Sequence, residues 1–157
     1  MKLYPLVFSF RDLIPGNGFV AGVAMDGRAL LVVEDDQDTW VHGVQPGGIA
    51  AGDSNRRDVA LLQFKKSYLS VLHDIAAETS SFQEFQVNVT EFFSAISAPD
   101  QADWDRAVAE VRSQQVSLPD LPSVKAESKP PSLLVEQVAT DKAKPTLSEP
   151  DVYREAA

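Results

Sequence analysis

Alternating apolar and polar positions near the start of the chain predict β-structure. Aromatic and β-branched residues favour strands over residues 3–10 and 19–25, with a Pro-Gly-Asn-Gly loop between them. The dipeptide Asp26-Gly27 then joins two apolar runs, and such a link predicts a tight hairpin turn because that turn needs positive φ. A third strand is therefore expected over residues 29–34.

A second pair of short strands follows the acidic turn Asp35-Asp36-Gln37-Asp38. Residues 39–44 alternate in the pattern of a half-buried strand, and residues 48–52 are small enough to form an edge strand after the Pro46-Gly47 corner. Together, the five strands predict an antiparallel meander.

A helical period begins after this meander. We expect one long helix over residues 55–78, capped by Asp53 or Ser54, whose apolar face packs on the sheet. The residues that share this face at three- and four-residue spacing are Leu61, Phe64 or Lys65, Tyr68, Leu72 and Ile75.

Two further helices are predicted before Gln114. The second begins at a capping box formed by Ser81 and Glu84, and the third covers residues 99–113 with acidic residues gathered at its start. An apolar stripe of the third helix contains Trp104, Ala107, Val108 and Val111. The second helix carries a stripe that indicates a core or an interface: Phe82, Phe85, Val89, Phe92, Phe93 and Ile96.

Composition changes beyond Gln114. Residues 114–157 contain six of the ten prolines and neither phenylalanine nor tryptophan, so they are expected to be a disordered, proline-rich tail. A small apolar cluster at residues 133–139 is interpreted as a linker that associates weakly with other apolar surfaces, or as one or two helical turns formed on a partner. The predicted fold class is thus α+β, with a domain over residues 1–96, an acidic helix over 97–113 and the tail.

Charge and composition restrict the function further. The formal net charge of −9 disfavours sequence-independent adhesion to nucleic acid or an anionic membrane, and it suggests a basic partner. Cysteine is absent, which removes thiolate chemistry and is consistent with a reducing compartment. The longest apolar run, residues 29–33, cannot cross a bilayer, and no secretory signal pattern is seen at the start. We expect a cytoplasmic protein without a membrane segment.

Catalytic chemistry finds little support in the residue pattern. The acidic run Glu34, Asp35, Asp36 and Asp38 could in principle bind Mg²⁺, but adjacent turn residues diverge, and a solvated turn is the better interpretation. His42 and His73 do not have metal-ligand spacing, and a phosphate-binding loop is not formed because its lysine and glycine spacing are missing. We expect no catalytic residue, no metal and no cofactor.

The ordered series from Arg28 to about Thr79 resembles the HicB family of antitoxins. Its parts are an apolar strand, an acidic turn, a strand ending in the Pro46-Gly47 corner, a short strand ending in Gly52-Asp53-Ser54, and a helix. The resemblance implies a partial ribonuclease-H-like fold without catalytic carboxylates, which covers a small basic toxin ribonuclease of the HicA type. An acidic surface would accelerate encounter with such a partner.

The chain also departs from the family pattern. Gly48 follows the Pro-Gly corner where the family often has cysteine, and residues 2–27 are an added hairpin. Many family members carry a DNA-binding module, but the region after Ile96 offers one acidic helix and no basic recognition segment. The sequence therefore argues against operator binding.

The leading hypothesis is a non-enzymatic binding protein, a HicB-like antitoxin that masks a small basic protein and can self-associate. The acids would meet basic side chains of the partner, and Trp40 would act as an anchor. The predicted partner-binding residues are Asp35, Asp36, Asp38, Trp40, His42, Gln45, Pro46 and Asp53.

Two alternatives stay open. The chain could be a structural or assembly subunit, in which Phe82, Phe85, Phe92 and Phe93 form a homo-oligomer interface and the tail recruits other proteins. It could also be a hydrolase that uses the acidic turn with a divalent metal, which the arguments above make the weakest of the three.

Overall fold

Two long strands form the centre of the protein. The structure is a computed structural model that describes residues 1–138 and 152–157. Strand β1 (Lys2–Gly16) and strand β2 (Phe19–Val33) pair antiparallel along their whole length. They meet at a tight turn in which Gly18 has a φ of 80°, a conformation that glycine adopts without steric cost.

Five shorter strands extend this ribbon into one sheet. On the β2 side, β3 (Asp38–Gln45) and β6 (Ser132–Gln137) pair with successive parts of β2, and β4 (Gly47–Ser54) pairs with β3. On the β1 side lie β7 (Val152–Ala156) and then β5 (Ser123–Val124). The strand order is β4-β3-β2-β1-β7-β5, and among the strands of the described residues only the β5–β7 pair is parallel.

Three helices cover the two faces of this sheet. Helices α1 (Arg57–Glu78) and α2 (Phe82–Ser94) pack on one face, and α3 (Ala98–Arg112) packs on the other. A 3₁₀ turn, Ala126–Ser128, adjoins α3. The prediction of an α+β protein with an antiparallel sheet, a long packing helix and two further helices is confirmed.

An aromatic core joins β1 to α1. Phe8 and Phe10 alternate with residues that face the opposite side of the sheet. The Phe64 ring lies 5.3 Å from that of Phe8, and the Tyr68 ring lies 5.2 Å from that of Phe10, measured between centroids. All four side chains are fully buried. Tilted and edge-on ring pairs at these distances add to the stabilisation that burial alone provides.

The opposite face has its own apolar cluster. Val7 of β1 and Leu30 of β2 pack against Trp104, Ala107 and Val108 of α3, as the apolar stripe of the third helix predicted. Because β2 is covered on both faces here, residues 29–33 form a continuous apolar run instead of an alternating one.

The predicted hairpin at Asp26-Gly27 is wrong, since β2 runs straight through both residues. The Asp26 carboxylate accepts hydrogen bonds from the hydroxyls of Ser9 and Ser132, at 2.5 and 3.2 Å. A Cβ on Gly27 would lie 2.3 Å from the Phe8 ring, so this glycine makes room for a core aromatic side chain. The turn itself is at Asn17-Gly18.

The prediction of disorder for residues 114–157 needs correction in the described parts of that segment. Residues 132–137 form strand β6 on β2, where the sequence suggested a linker or a helical turn, and residues 152–156 form β7 between β1 and β5. These strands are stabilised by the edges of a sheet that the rest of the chain supplies, which local composition does not reveal. Residues 139–151 of the predicted tail lie outside the described residues.

The predicted cap of α2 is confirmed, and α3 also begins at a serine cap, which was not predicted. Ser81 caps α2 by accepting a hydrogen bond from the Glu84 N–H at 3.2 Å, and Ser97 caps α3 in the same way. The expected cap of α1 by Asp53 or Ser54 is wrong, because β4 continues to Ser54 and the N-cap is Arg56, whose side chain makes no capping hydrogen bond. The buried face of α1 contains Ala60, Phe64, Tyr68, Leu72 and Ala76.

Tyr153 tests the placement of β7. Its ring lies 5.6 Å from that of Phe10, and its hydroxyl donates a hydrogen bond to the Leu61 carbonyl at 3.0 Å. We expect Tyr153→Phe to lower the free energy of unfolding by about 1 kcal/mol and Tyr153→Ala by about 2–4 kcal/mol. Urea denaturation measures both. Equal stability of the wild type and Tyr153→Ala would contradict the strand assignment.

Acid sensitivity tests the start of α2. The pKa of Glu84 is lowered because its carboxylate accepts hydrogen bonds from the Ser80 N–H and hydroxyl. A lowered pKa in the folded state stabilises the protein above the ordinary carboxyl pKa of 4.5 and ceases to do so as the pH falls through the folded value. The free energy of unfolding should therefore fall less between neutral and acidic pH in Glu84→Gln than in the wild type.

Candidate functional site

Strand β3 presents two aromatic side chains to solvent. Trp40 is 39% exposed, His42 is exposed, and their ring centroids are 6.5 Å apart on the same face of the strand. Val41, between them, is fully buried on the α1 side. Alternation along one strand therefore fixes these two rings at the surface while their neighbour holds the strand on the core.

Small residues on β4 provide the floor beneath these rings. Gly52 is the partner of Trp40 and Ala50 is the partner of His42. A Cβ on Gly52 would lie 2.5 Å from the Trp40 ring, so the indole rests directly on the β4 backbone. We refer to Trp40, His42, Ala50 and Gly52 as the aromatic ledge.

An acidic turn adjoins the ledge where β3 begins. The Glu34 N–H donates to the Asp38 carbonyl and the Gln37 N–H donates to the Glu34 carbonyl, both at 2.9 Å, while Gln37 has a φ of 73°. Asp38 is the first residue of β3, two positions from Trp40. Backbone hydrogen bonds thus hold this cluster of negative charge beside the exposed indole.

The carboxylates of the turn have different surroundings. Asp35 accepts a hydrogen bond from the amino group of Met1 at 2.7 Å, and this contact lowers the pKa of Asp35. Carboxylate oxygens of Glu34, Asp36 and Asp38 lie within 4.8 Å of one another. All three come from one turn, and no described histidine or carboxylate from another element joins them. Their geometry allows attraction of cationic groups from outside.

The other predicted partner-binding residues lie away from the ledge. Asp53 is opposite Thr39, so its side chain belongs to the other face of the β3–β4 pair. Gln45 and Pro46 lie at the far end of β3, joined by a cis peptide bond, and Pro46 is buried. The structure therefore brings together Trp40, His42 and the acids of the turn, and separates Gln45, Pro46 and Asp53 from them.

The phenylalanines of α2 contribute mainly to the core of the chain itself. Phe85 is fully buried and Phe93 is 9% exposed, while Phe82 and Phe92 are partly buried against the same core. Phe19 of β2 meets Phe82 and Phe85 at centroid distances of 6.1 and 5.4 Å. The predicted oligomer interface stays a prediction, and a large part of its aromatic surface is already used inside the fold.

Basic residues near the start of α1 are paired with acids. Arg56 forms an ion pair with Asp58 at 2.7 Å, and Lys65 forms one with Asp12 at the same distance. Arg57 pairs with Asp120. These contacts pair three of the four basic residues at positions 56, 57, 65 and 66 with carboxylates.

Ala50 and Gly52 are the residues of the ledge that sequence reasoning missed, and Gly52 lies directly beneath the indole. The signal was present in the pairing of strands, since a meander places a residue near the end of β4 opposite Trp40. Its identity as the partner required the register, which a bulge between His42 and Val44 shifts.

Comparisons with known proteins add no assignment. No protein-family model, curated protein or solved structure matches the chain. Among the described residues, no helix combines the length and apolar character needed to cross a bilayer.

Gly52→Val tests how the ledge is built. The added side chain would occupy the space of the Trp40 ring, so we expect the indole to move toward solvent and its fluorescence to be quenched more strongly by acrylamide. Ala50→Val, on the same strand opposite His42, is the matched control and should leave the quenching of Trp40 nearly unchanged. Identical quenching in the two variants would show that Gly52 does not support the ring.

Proposed function

We propose that this chain is a non-enzymatic binding protein, a HicB-like antitoxin that uses its aromatic ledge to cover a small basic protein. The observation that carries the proposal is the exposed Trp40 held beside His42 and next to the acidic turn. A tryptophan exposed on a rigid strand is typical of binding anchors, because it buries a large area with little loss of conformational entropy.

Charge supports a basic partner. The chain carries a net charge of −9, and carboxylates of Glu34, Asp36 and Asp38 cluster at the end of the ledge. Opposite charges on two proteins raise the rate of encounter and suppress wrong partners. Association with a basic protein should therefore slow as the salt concentration rises.

The shape of the surface supports a protein partner over a small molecule. The ledge lies on the open side of two paired strands, where Ala50 and Gly52 leave the backbone of β4 close to the surface. An exposed aromatic anchor with a charged rim fits a protein interface, in which a few central residues contribute most of the binding energy.

Operator binding is not part of the proposal. The basic residues Arg56, Arg57 and Lys65 are engaged with carboxylates, so they offer little charge to a phosphate backbone. The role we propose is therefore to mask a partner protein directly.

An antitoxin role predicts a small basic reading frame next to the gene for this chain, and the experiment uses the product of that frame. We expect that product to arrest growth when expressed alone and to be relieved by the wild-type chain. Trp40→Ala should weaken the complex about thirtyfold or more, because truncation of a central anchor costs roughly 2 kcal/mol or more. The double variant Asp36→Lys with Asp38→Lys should mainly slow association.

Matched controls come from the opposite side of the sheet. Leu62 is 54% exposed and Asp74 is exposed, both on α1, so Leu62→Ala and Asp74→Lys remove similar groups outside the ledge. Both should bind like the wild type. Absence of growth arrest by the neighbouring product would refute the antitoxin role, and equal losses in ledge and control variants would refute the ledge as the interface.

A further inference from the structure

A concave site lies between α3 and the sheet, and none of its lining residues belongs to the aromatic ledge or the acidic turn. It is a cavity of about 290 Å³, and Arg28 of β2 forms one wall. Trp104, Val108 and Arg112 project into it from α3, and the 3₁₀ turn closes the third side. The proposed antitoxin role makes no use of this cavity.

Arg28 is held against an aromatic ring in this cavity. Its guanidinium carbon lies 4.3 Å from the centroid of the Trp104 ring, a distance typical of a cation–π contact. Its Nε is buried, and no described group accepts a hydrogen bond from it. Burial lowers the pKa of Arg28, while the nearby charges of Asp105 and Glu127 raise it. An arginine guanidinium stays charged in proteins, and this one is partly shielded from water.

Trp104 adds a second donor to the same wall. The side chain is only 3% exposed, and its indole Nε1 has no acceptor among the described groups. Buried donors are nearly always satisfied in folded proteins, so two orphan N–H groups beside one cavity point to a ligand with acceptor atoms. Next to a charged guanidinium, an anionic acceptor is favoured most.

The remaining walls restrict the kind of anion. Val108 and Ala126 are apolar and buried, so part of the ligand should be hydrophobic. Glu127 pairs with Arg112, and Asp105 adds negative charge at the rim. Electrostatic repulsion by these carboxylates disfavours a dianion more than a monoanion. The volume equals about ten water molecules at roughly 30 Å³ each, enough for a small organic acid.

We propose that this cavity binds a small organic monocarboxylate, with the carboxylate toward Arg28 and the apolar body against Trp104 and Val108. Arginine suits this role because its planar fork matches a carboxylate. The site is independent of the aromatic ledge, so the two proposals can fail separately.

The test is a titration of the ¹⁵N-labelled chain with benzoate, followed by NMR. The Arg28 Nε–H and the Trp104 indole N–H are direct reporters, and Trp40→Phe identifies the Trp104 signal by removing the other indole. We expect saturable chemical-shift changes of both reporters, with half-saturation at a benzoate concentration of about 1 mM, since benzoate has about nine non-hydrogen atoms. No saturable shift with benzoate would overturn the proposal.

Two further ligands separate the parts of the site. Benzamide keeps the ring and lacks the charge, and inorganic phosphate keeps the charge and lacks the ring. We expect each to bind at least tenfold more weakly than benzoate. If benzamide binds as tightly as benzoate, the charge of Arg28 does not contribute to recognition. If phosphate binds more tightly than benzoate, the cavity is a general anion site and not a monocarboxylate site.

Variants then assign the contact. Arg28→Met should weaken benzoate binding at least tenfold, whereas Arg106→Met, on an exposed part of α3 outside the cavity, should not change it. If Arg28→Met proves unfolded, Arg28→Lys keeps the charge without the planar fork, and an intermediate loss is expected. Unchanged affinity in the folded Arg28 variant would refute the site.

Discussion

The pairing of β1 with β2 is the interaction on which the rest of the structure depends. Fifteen residues on each strand form one continuous antiparallel ladder, and its two outer edges receive β3 and β6 on one side and β7 on the other. Helices α1 and α2 pack on one face of this ribbon, and α3 packs on the other. Because nearly every other element packs against this ribbon, its register determines which side chains are buried and which reach the surface.

The aromatic ledge shows how this register produces a candidate interface. Burial of Val41 under α1 forces Trp40 and His42 to the opposite face, and Gly52 allows the indole to lie on β4. The acidic turn that connects β2 to β3 then has to lie beside Trp40. The exposed indole and the charge beside it are thus consequences of one strand pairing, which is why this face is the candidate interface.

The cavity beside Arg28 arises from a different requirement. Helix α3 must cover the outer face of the ribbon, and its buried Trp104 meets Arg28, a polar residue that alternation places on that face. The guanidinium stacks on the ring, and the Arg28 Nε and Trp104 Nε1 have no acceptor among the described groups. The ledge and the packing of α3 therefore use different parts of the same face of the sheet, because Trp40 and His42 pair with Val32 and Leu30 of the α3 cluster.

Sequence alone determined the α+β class, the three helices, the cap at Ser81 and the exposed acidic turn, because these follow from local periodicity and local hydrogen bonds. It also selected Trp40 and His42. Tertiary structure decided the straight course of β2 through Asp26-Gly27, the strands within residues 114–157, and the partners Gly52 and Arg28. Each of those depends on contacts between distant parts of the chain, where packing against a formed sheet outweighs local propensity.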